Sequence, residues 1–395
     1  MRLRAVLVGS CLLLVSACGS NTATLPGAPR TSGPSQMASG MPGMPGMPGM
    51  QPVKLAKPRP LRPGESRLSL QIPTPFTPAA PHGGTDDYRC FLLDPHVVRD
   101  TSITGMYVRP DNRSIVHHVI LYRVEPTQVQ AAKHLDAADP GEGWTCFGDS
   151  GLPGGSTLDN APWLGAWAPG GQEAVYPPGF GVPLTRGSRI VMQVHYNLLG
   201  GSGPDQSSTV LRLAPPGAHE TALETMLLPA PVELPCRPGH TDNPLCNRTA
   251  SIADVAKRFG EVGQTNNWLD VLCGEKPKPS EVTSCTRTVT EPTTIRAVAG
   301  HMHLLGRSIK IQVDPGTPRE RTILNIPVWD FDNQGAKPIK PVTLQPGETL
   351  KVTCKHVQWL RDRLPAFKGI PDKYVVWGEG STDEMCLGIL TVTHP

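Results

Sequence analysis

From residue 67 onward the apolar stretches are short, rich in β-branched residues and separated by turn residues. "SRLSLQI", "SIVHHVILYRV", "SRIVMQVHYNL", "STVLRLA", "TTIRAVAGHMHLLGRSIKIQV", "TLKVTCKHV" and "CLGILTVT" all have this character. Val and Ile suit a pleated, half-buried surface, whereas proline inside a helix removes a hydrogen bond and clashes with the preceding turn. With 44 prolines and 41 glycines in 395 residues, the chain favours strands joined by many turns over long helices. The pattern predicts an all-β fold of two antiparallel β-sandwich, jelly-roll-like domains with few short helices. The length is sufficient for two such cores. Two helices are expected. "PTQVQAAKHLDAAD" is one. "SIADVAKRFG" is the better one: Ile252, Val255, Ala256 and Phe259 form an apolar stripe, Ser251 is placed to cap its start and Gly260 to end it.

The first residues predict export. "MRLR" is a basic segment, "AVLVGSCLLLV" an apolar one too short to span a bilayer permanently, and "VSAC" puts small residues before a cysteine. This resembles the bacterial lipobox, in which Cys18 would become a lipidated N-terminus. Gly19 follows rather than Asp, which by the usual sorting rule points towards the outer membrane of the cell envelope. Residues 19–66 lack a core-forming pattern and read as a tether, with an end-to-end distance of roughly 35–40 Å. Within it, Met37, Met41, Met44, Met47 and Met50 are spaced thioethers that either capture reduced copper or belong to a neutral spacer. Domains are expected at 67–215 and 216–395, so a chain starting near residue 67 should fold. The formal net charge of +3 gives no reason to expect a nucleic-acid partner.

Ten cysteines are present; without Cys11 and Cys18 in the leader, eight remain. An even set in an exported chain reads as disulfides, and no C-x-x-C pair favours zinc. Cys236, Cys246, Cys273 and Cys285 allow three connectivities and brace a helical insert near 231–290.

Three motifs put histidines on strands. His301 and His303 in "GHMHLLGRSIKI" are two apart, so in a strand they face the same way and can grip one metal ion. Met302 between them should face the other way. His117 and His118 are adjacent in "IVHHVILYRV", where a regular strand would turn them to opposite faces and bury one unpaired. Either that strand is distorted or near a rim, or a bound ion compensates. Gln193 and His195 share a face of "VMQVHYN". Met385 in "STDEMCLGIL" is either a flexible core filler or a soft ligand suited to Cu(I). The histidines and the methionine partition into three histidines before residue 200 and two histidines with Met385 after residue 300.

"DDYRC", "VHHVIL", "AWAPGGQEAVYPPGFG", "QVHYN", "HMHLLGR" and "DEMC", in this order, resemble the copper type II, ascorbate-dependent monooxygenases, the family of peptidylglycine α-hydroxylating monooxygenase and dopamine β-monooxygenase. The resemblance covers roughly residues 67–395. It implies one copper held by His117, His118 and His195, and a second held by His301, His303 and Met385, where dioxygen is activated. These last three would be the catalytic residues. The resemblance further implies two unbridged coppers per chain, ascorbate or another one-electron reductant, dioxygen, and a small-molecule substrate. It implies disulfides Cys90–Cys146 and Cys354–Cys386, the latter stapling the Met385 segment. Where the peptide-specific member holds a substrate carboxylate, this chain has Ala299 and Ile389, which argues against a peptide-glycine substrate. The expected activity is hydroxylation of a C–H bond in a small apolar or aromatic molecule. The alternatives are a non-catalytic copper-binding or electron-transfer lipoprotein, and a disulfide-braced adhesin. The two ligand sets, drawn from different domains, are expected to assemble independently.

Overall fold

The computed structural model describes residues 57–154, 157–274 and 276–395. The leader, Cys18 and the Met-Pro-Gly tract lie outside them. Strands dominate, and nearly all pair antiparallel in four sheets. A five-stranded sheet runs Trp144–Thr145, Asp86–Leu93, Arg189–Asn197, Val116–Val124, Trp163–Trp167. A six-stranded sheet built around Ser208–Leu213 and Thr101–Arg109 faces it. Phe91, Val119, Leu121, Met192 and Val194 from the first sheet, with Ile103, Val108 and Leu211 from the second, form the core between them. The second sandwich pairs the sheet Glu224–Pro229, Leu387–Thr393, Thr293–His301, Lys337–Leu344 with the sheet Val282–Thr288, Thr349–His356, Gly306–Val313, Arg321–Ile326. Its core holds Met226, Val298, Met302, Ile311, Val352 and Leu390. The all-β sandwich expectation therefore holds.

Strand alternation decides what lies outside these cores. In Arg189–Asn197, Met192 and Val194 point into the first core, so Val191, Gln193 and His195 point outward. In the second sandwich Leu390 and Val392 point inward, leaving Leu387 and Ile389 outward. The outward faces meet: Leu227 and Ile389 pack both on the cluster of Tyr122, Trp163 and Val191 and on that of Trp377, Met385 and Leu387. Gly300 and Gly388 pair across the sheet just before His301. A Cβ on either would come within 2.8 Å of the Ile309 or Ile311 side chain, so glycine lets the two sheets of this sandwich close there without displacing those side chains.

Four disulfides form: Cys90–Cys146, Cys236–Cys246, Cys273–Cys285 and Cys354–Cys386. The first and last are the pairs implied by the family resemblance; the middle two select one of the three connectivities left open. Both expected helices are present, as Val129–Ala138 and Arg248–Phe259. The second starts earlier than expected. Asn247 caps it by accepting from Ala250 N at 3.1 Å, while Ser251 lies inside the helix and its hydroxyl donates to the Tyr374 carbonyl. Gly260 ends it with φ of +69°. A further helix, Thr265–Leu272, was not anticipated from "TNNWLDVL", which has weak helix formers at its start. It is fixed from outside: the buried Asn266 carboxamide accepts from Val232 N at 2.9 Å and Trp377 N at 3.0 Å.

The packed chain begins upstream of residue 67. Arg212 is 1% exposed and forms an ion pair with Glu65, itself 2% exposed, and its guanidinium also donates to the carbonyls of Arg59 and Pro60. Burial alone would raise the Glu65 carboxyl; hydrogen bonds from Arg62, Thr104 and Arg212 outweigh it and hold the group at about 2. A chain starting at residue 67 would leave the buried Arg212 with only its longer ion pair, to Glu173 at 3.5 Å. It is expected to lose stability relative to a chain starting at Lys57, by less than the roughly 3–5 kcal/mol of a wholly unpaired buried charge. Urea unfolding of the two checks this, and equal midpoints would show that Glu65 is replaceable by solvent.

Candidate metal centre

The adjacent histidines are reconciled by a bulge. The register between Val116–Val124 and Arg189–Asn197 shifts between Val116 and His118, so that Val116 opposes Tyr196 and His118 opposes His195. The extra residue, His117, escapes the alternation that would have sent it to the opposite face from His118. All three imidazoles converge: their ligating atoms lie within 4.8 Å of one another, and all three residues are buried. His195 Nδ1 stands 3.3 Å from Nδ1 of both His117 and His118.

The second pair lies alongside. His301 ends its strand, opposite Leu387. His303 is in the following turn rather than on the strand, yet the two rings remain 5.2 Å apart. Met302 points into the second core, as expected from alternation. Met385 is 7% exposed, two residues before Leu387, and packs with Leu269, Trp377 and Leu387. The two histidine sets are adjacent: the rings of His118 and His301 are 5.5 Å apart. Phe331 lies between the sets, stacked on His117 at 4.1 Å and edge-on to His303 at 6.4 Å. The two sets, expected to assemble independently, thus lie side by side.

Several residues that position the site carried no signal in the sequence reading. Asp86, 3% exposed, accepts from His195 Nε2 at 2.9 Å, which fixes the tautomer and leaves the Nδ1 lone pair facing the other two histidines. Tyr88 stacks on the His195 ring at 4.1 Å. Gln334 accepts from His301 Nδ1 at 2.6 Å. Glu384, fully buried, accepts the backbone N–H groups of His303 at 2.9 Å and Leu305 at 2.5 Å, and thereby shapes the turn that carries His303. His356 donates from Nε2 to the Met385 carbonyl at 3.1 Å. An acidic residue beside each motif, in "TDDYRC" and "DEMC", was the available clue.

Burial pushes His117, His118 and His303 well below the usual imidazole range and His301 down to about 4, so at neutral pH these rings are uncharged and keep a free lone pair. Nε2 of His117 and both ring nitrogens of His303 are buried without a hydrogen-bond partner. Such atoms are costly unless something binds them, and a cluster of neutral imidazoles suits a transition metal. The residues present therefore fit a metal ion.

Residues 88–200 match the copper type II ascorbate-dependent monooxygenase N-terminal domain. The resemblance read from the sequence thus holds over the segment with His117, His118 and His195; His301, His303 and Met385 lie beyond it. No curated protein matches the chain. Among solved structures, an allantoicase aligns at 11% identity over 84% of this chain and 90% of that one, with a TM-score of 0.19. A Paenibacillus xanthan lyase aligns at 13% identity over 82% of this chain and 25% of that one, also at 0.19. Neither likeness carries an argument.

One buried acid near the site gives a pH signature. Burial pushes the Glu379 carboxyl up to about 8, while its backbone carbonyl accepts from Tyr88 Oη at 2.8 Å. An acid whose folded pKa exceeds its unfolded value costs nothing below the unfolded pKa, and destabilises progressively up to the folded one. The metal-free protein should therefore lose stability from Glu379 between about pH 4.5 and 8. The buried histidines act with the opposite sign below about pH 6.5. Glu379→Gln should remove only the first loss. Denaturant unfolding from pH 5 to 8 checks it, and parallel curves for both proteins would refute it.

Proposed function

We propose that this chain is an exported copper monooxygenase that hydroxylates a C–H bond of a small apolar or aromatic molecule. The observation that carries the reading is the convergence of His117, His118 and His195 on a strand bulge inside the matched family domain, with His301 and His303 beside them. In this reading His117, His118 and His195 hold one copper ion, and His301, His303 and Met385 the other. The overall reaction combines R–H, dioxygen, two electrons and two protons to give R–OH and water. The electrons come from two equivalents of an ascorbate-like one-electron reductant. Copper, when bound, supplies the one-electron redox chemistry and the activation of dioxygen.

The chain's own residues set the conditions. Asp86 and Gln334 orient His195 and His301 so that one ring nitrogen of each is free to bind. Glu384 fixes the turn that brings His303 beside His301. The burial of both sets excludes bulk water, and the apolar pair Ala299 and Ile389 next to His301 supports an apolar substrate. The N-terminal leader and Cys18 support lipid anchoring at the cell envelope, with the chain outside the cytoplasm. No helix among the described residues is long and apolar enough to cross a membrane.

A second reading, a copper-binding or electron-transfer protein without turnover, is favoured by Phe331, whose ring fills the space between the two sets. Metal analysis combined with oxygen uptake on adding ascorbate separates the two. Two coppers per chain with substrate-dependent uptake support the enzyme; copper without uptake supports the second reading, and no copper rejects both.

Met385 tests the second ligand set. Met385→Leu nearly conserves volume and should cost less than about 1.5 kcal/mol of stability. The Cu(I)-loaded variant should lose its copper–sulfur scattering in X-ray absorption, and oxygen uptake should collapse. A variant that retains both would make Met385 a core residue only.

A further inference from the structure

We infer that Asp86 and Ser381 form a tie that couples the two histidine sets. Asp86 belongs to the strand beside His195, and Ser381 to the turn that leads into Met385. Asp86 Oδ1 accepts from His195 Nε2 at 2.9 Å and from the Ser381 hydroxyl at 2.6 Å; its Oδ2 accepts from Ser381 N at 3.0 Å and from the Thr85 hydroxyl at 2.7 Å. The same oxygen that fixes the His195 tautomer therefore also holds the Met385 turn. Two neighbours reinforce the contact. Asn197, two residues after His195, donates to Ser381 Oγ at 3.0 Å, and Tyr88, stacked on His195, donates to the Glu379 carbonyl at 2.8 Å. Asp86 and Ser381 are 3% and 0% exposed, so water cannot replace the lost partner of either.

Physically, any rotation of the His195 ring on binding a metal must stretch its bond to Asp86 or move Asp86, and a moving Asp86 pulls on its bonds to Ser381. The turn from Ser381 to Cys386 then moves, or resists, with it. Because coupling between binding sites is reciprocal, a change at the Met385 turn must also be felt at His195. Asp86 and Ser381 are positioning residues: neither needs to touch a metal or a substrate. The inference rests on the copper reading above for what the two sets bind, but not for the tie itself.

Ser381→Ala removes the hydroxyl, Ser381→Thr keeps it, and Asp86→Asn weakens the acceptor. In the metal-free full-length protein, amide hydrogen exchange across residues 378–386 should quicken on the order of tenfold or more in Ser381→Ala and Asp86→Asn, the size of a lost charge-assisted hydrogen bond. Ser381→Thr should restore the slow exchange. In the copper-loaded protein, Ser381→Ala should alter the Cu(II) electron paramagnetic resonance of the three-histidine set, from which it is separated in sequence. Asp86→Asn should diminish the copper–sulfur scattering of the Cu(I) form. Unchanged exchange would overturn the tie. Faster exchange with both copper signatures as in the parent protein would reduce it to a structural contact and overturn the coupling. A parent protein that takes up no copper would reject the copper reading and the coupling together, while the exchange result would still decide whether the tie exists.

Discussion

The six residues "STDEMC", Ser381 to Cys386, are the constraint on which this architecture turns, because they carry polar side chains into a buried place and nearly every one is held by a different part of the chain. Ser381 is held by Asp86 and Asn197 of the first sandwich. Asp383 is gripped by Arg258 at 2.6 and 2.8 Å and by Lys373 at 2.5 Å. Burial alone would raise its carboxyl; those two cations drive it far below the usual range. Glu384 holds the His303 turn, the Met385 carbonyl accepts from His356, and Cys386 is bonded to Cys354. A buried charge left without its partner costs several kcal/mol, so each of these contacts is a condition on the others. This also gives the insert a reason to exist. The helix Arg248–Phe259, within reach of the Cys236–Cys246 disulfide, delivers Arg258 to Asp383.

The second demand comes from the histidines. Five imidazoles sit in a space from which water is largely excluded, and desolvation keeps those of His117, His118, His301 and His303 neutral. The bulge at His117 and the turn after His301 are the two backbone irregularities that let them converge. Regular strands would have scattered them across opposite faces. The irregularities occur where the sheets meet, and the packing of Leu227 and Ile389 between both sandwiches stabilises that meeting. Structure and site therefore share one interface.

The sandwich class and the histidine motifs were legible because period-2 alternation is local: Val194 and Tyr196 inward, Gln193 and His195 outward, follow from spacing alone. His117 was legible only as a conflict, since spacing said that two adjacent histidines cannot share a face, and the bulge that resolves it depends on the neighbouring strand. Asp86, Glu384, Gln334 and Ser381 were not legible. Each acts on a residue tens to hundreds of positions away, and an acidic side chain next to a strand looks the same in sequence whether it faces solvent or a histidine. The adjacency of His118 and His301 was hidden for the same reason. It belongs to the packing of one sandwich on the other, and a partition of ligands by sequence half suggested separation instead. Glu65 was mistaken for spacer because its partner, Arg212, lies 147 residues away.

In the proposed copper reading, charge bears on which oxidation state this interior would suit. Two buried carboxylates in it, Asp86 and Glu384, are hydrogen-bonded to hydroxyls, backbone amides and imidazoles, with no hydrogen bond or ion pair to arginine or lysine among the described residues. Asp383, by contrast, already has two cationic partners. The chamber thus holds two carboxylates without a hydrogen-bonded arginine or lysine, Glu384 lying in the field of the buried Arg361. Two monovalent ions would balance them, whereas two divalent ions would add two further positive charges to a space of low effective dielectric, where like charges repel far more strongly than in water. Neutral imidazoles bring no negative charge to offset that excess, and the thioether of Met385, the third ligand in the proposed reading, is a soft donor. In the proposed copper reading, with Met385 as a ligand, burial and donor softness would act in the same direction, towards Cu(I) over Cu(II).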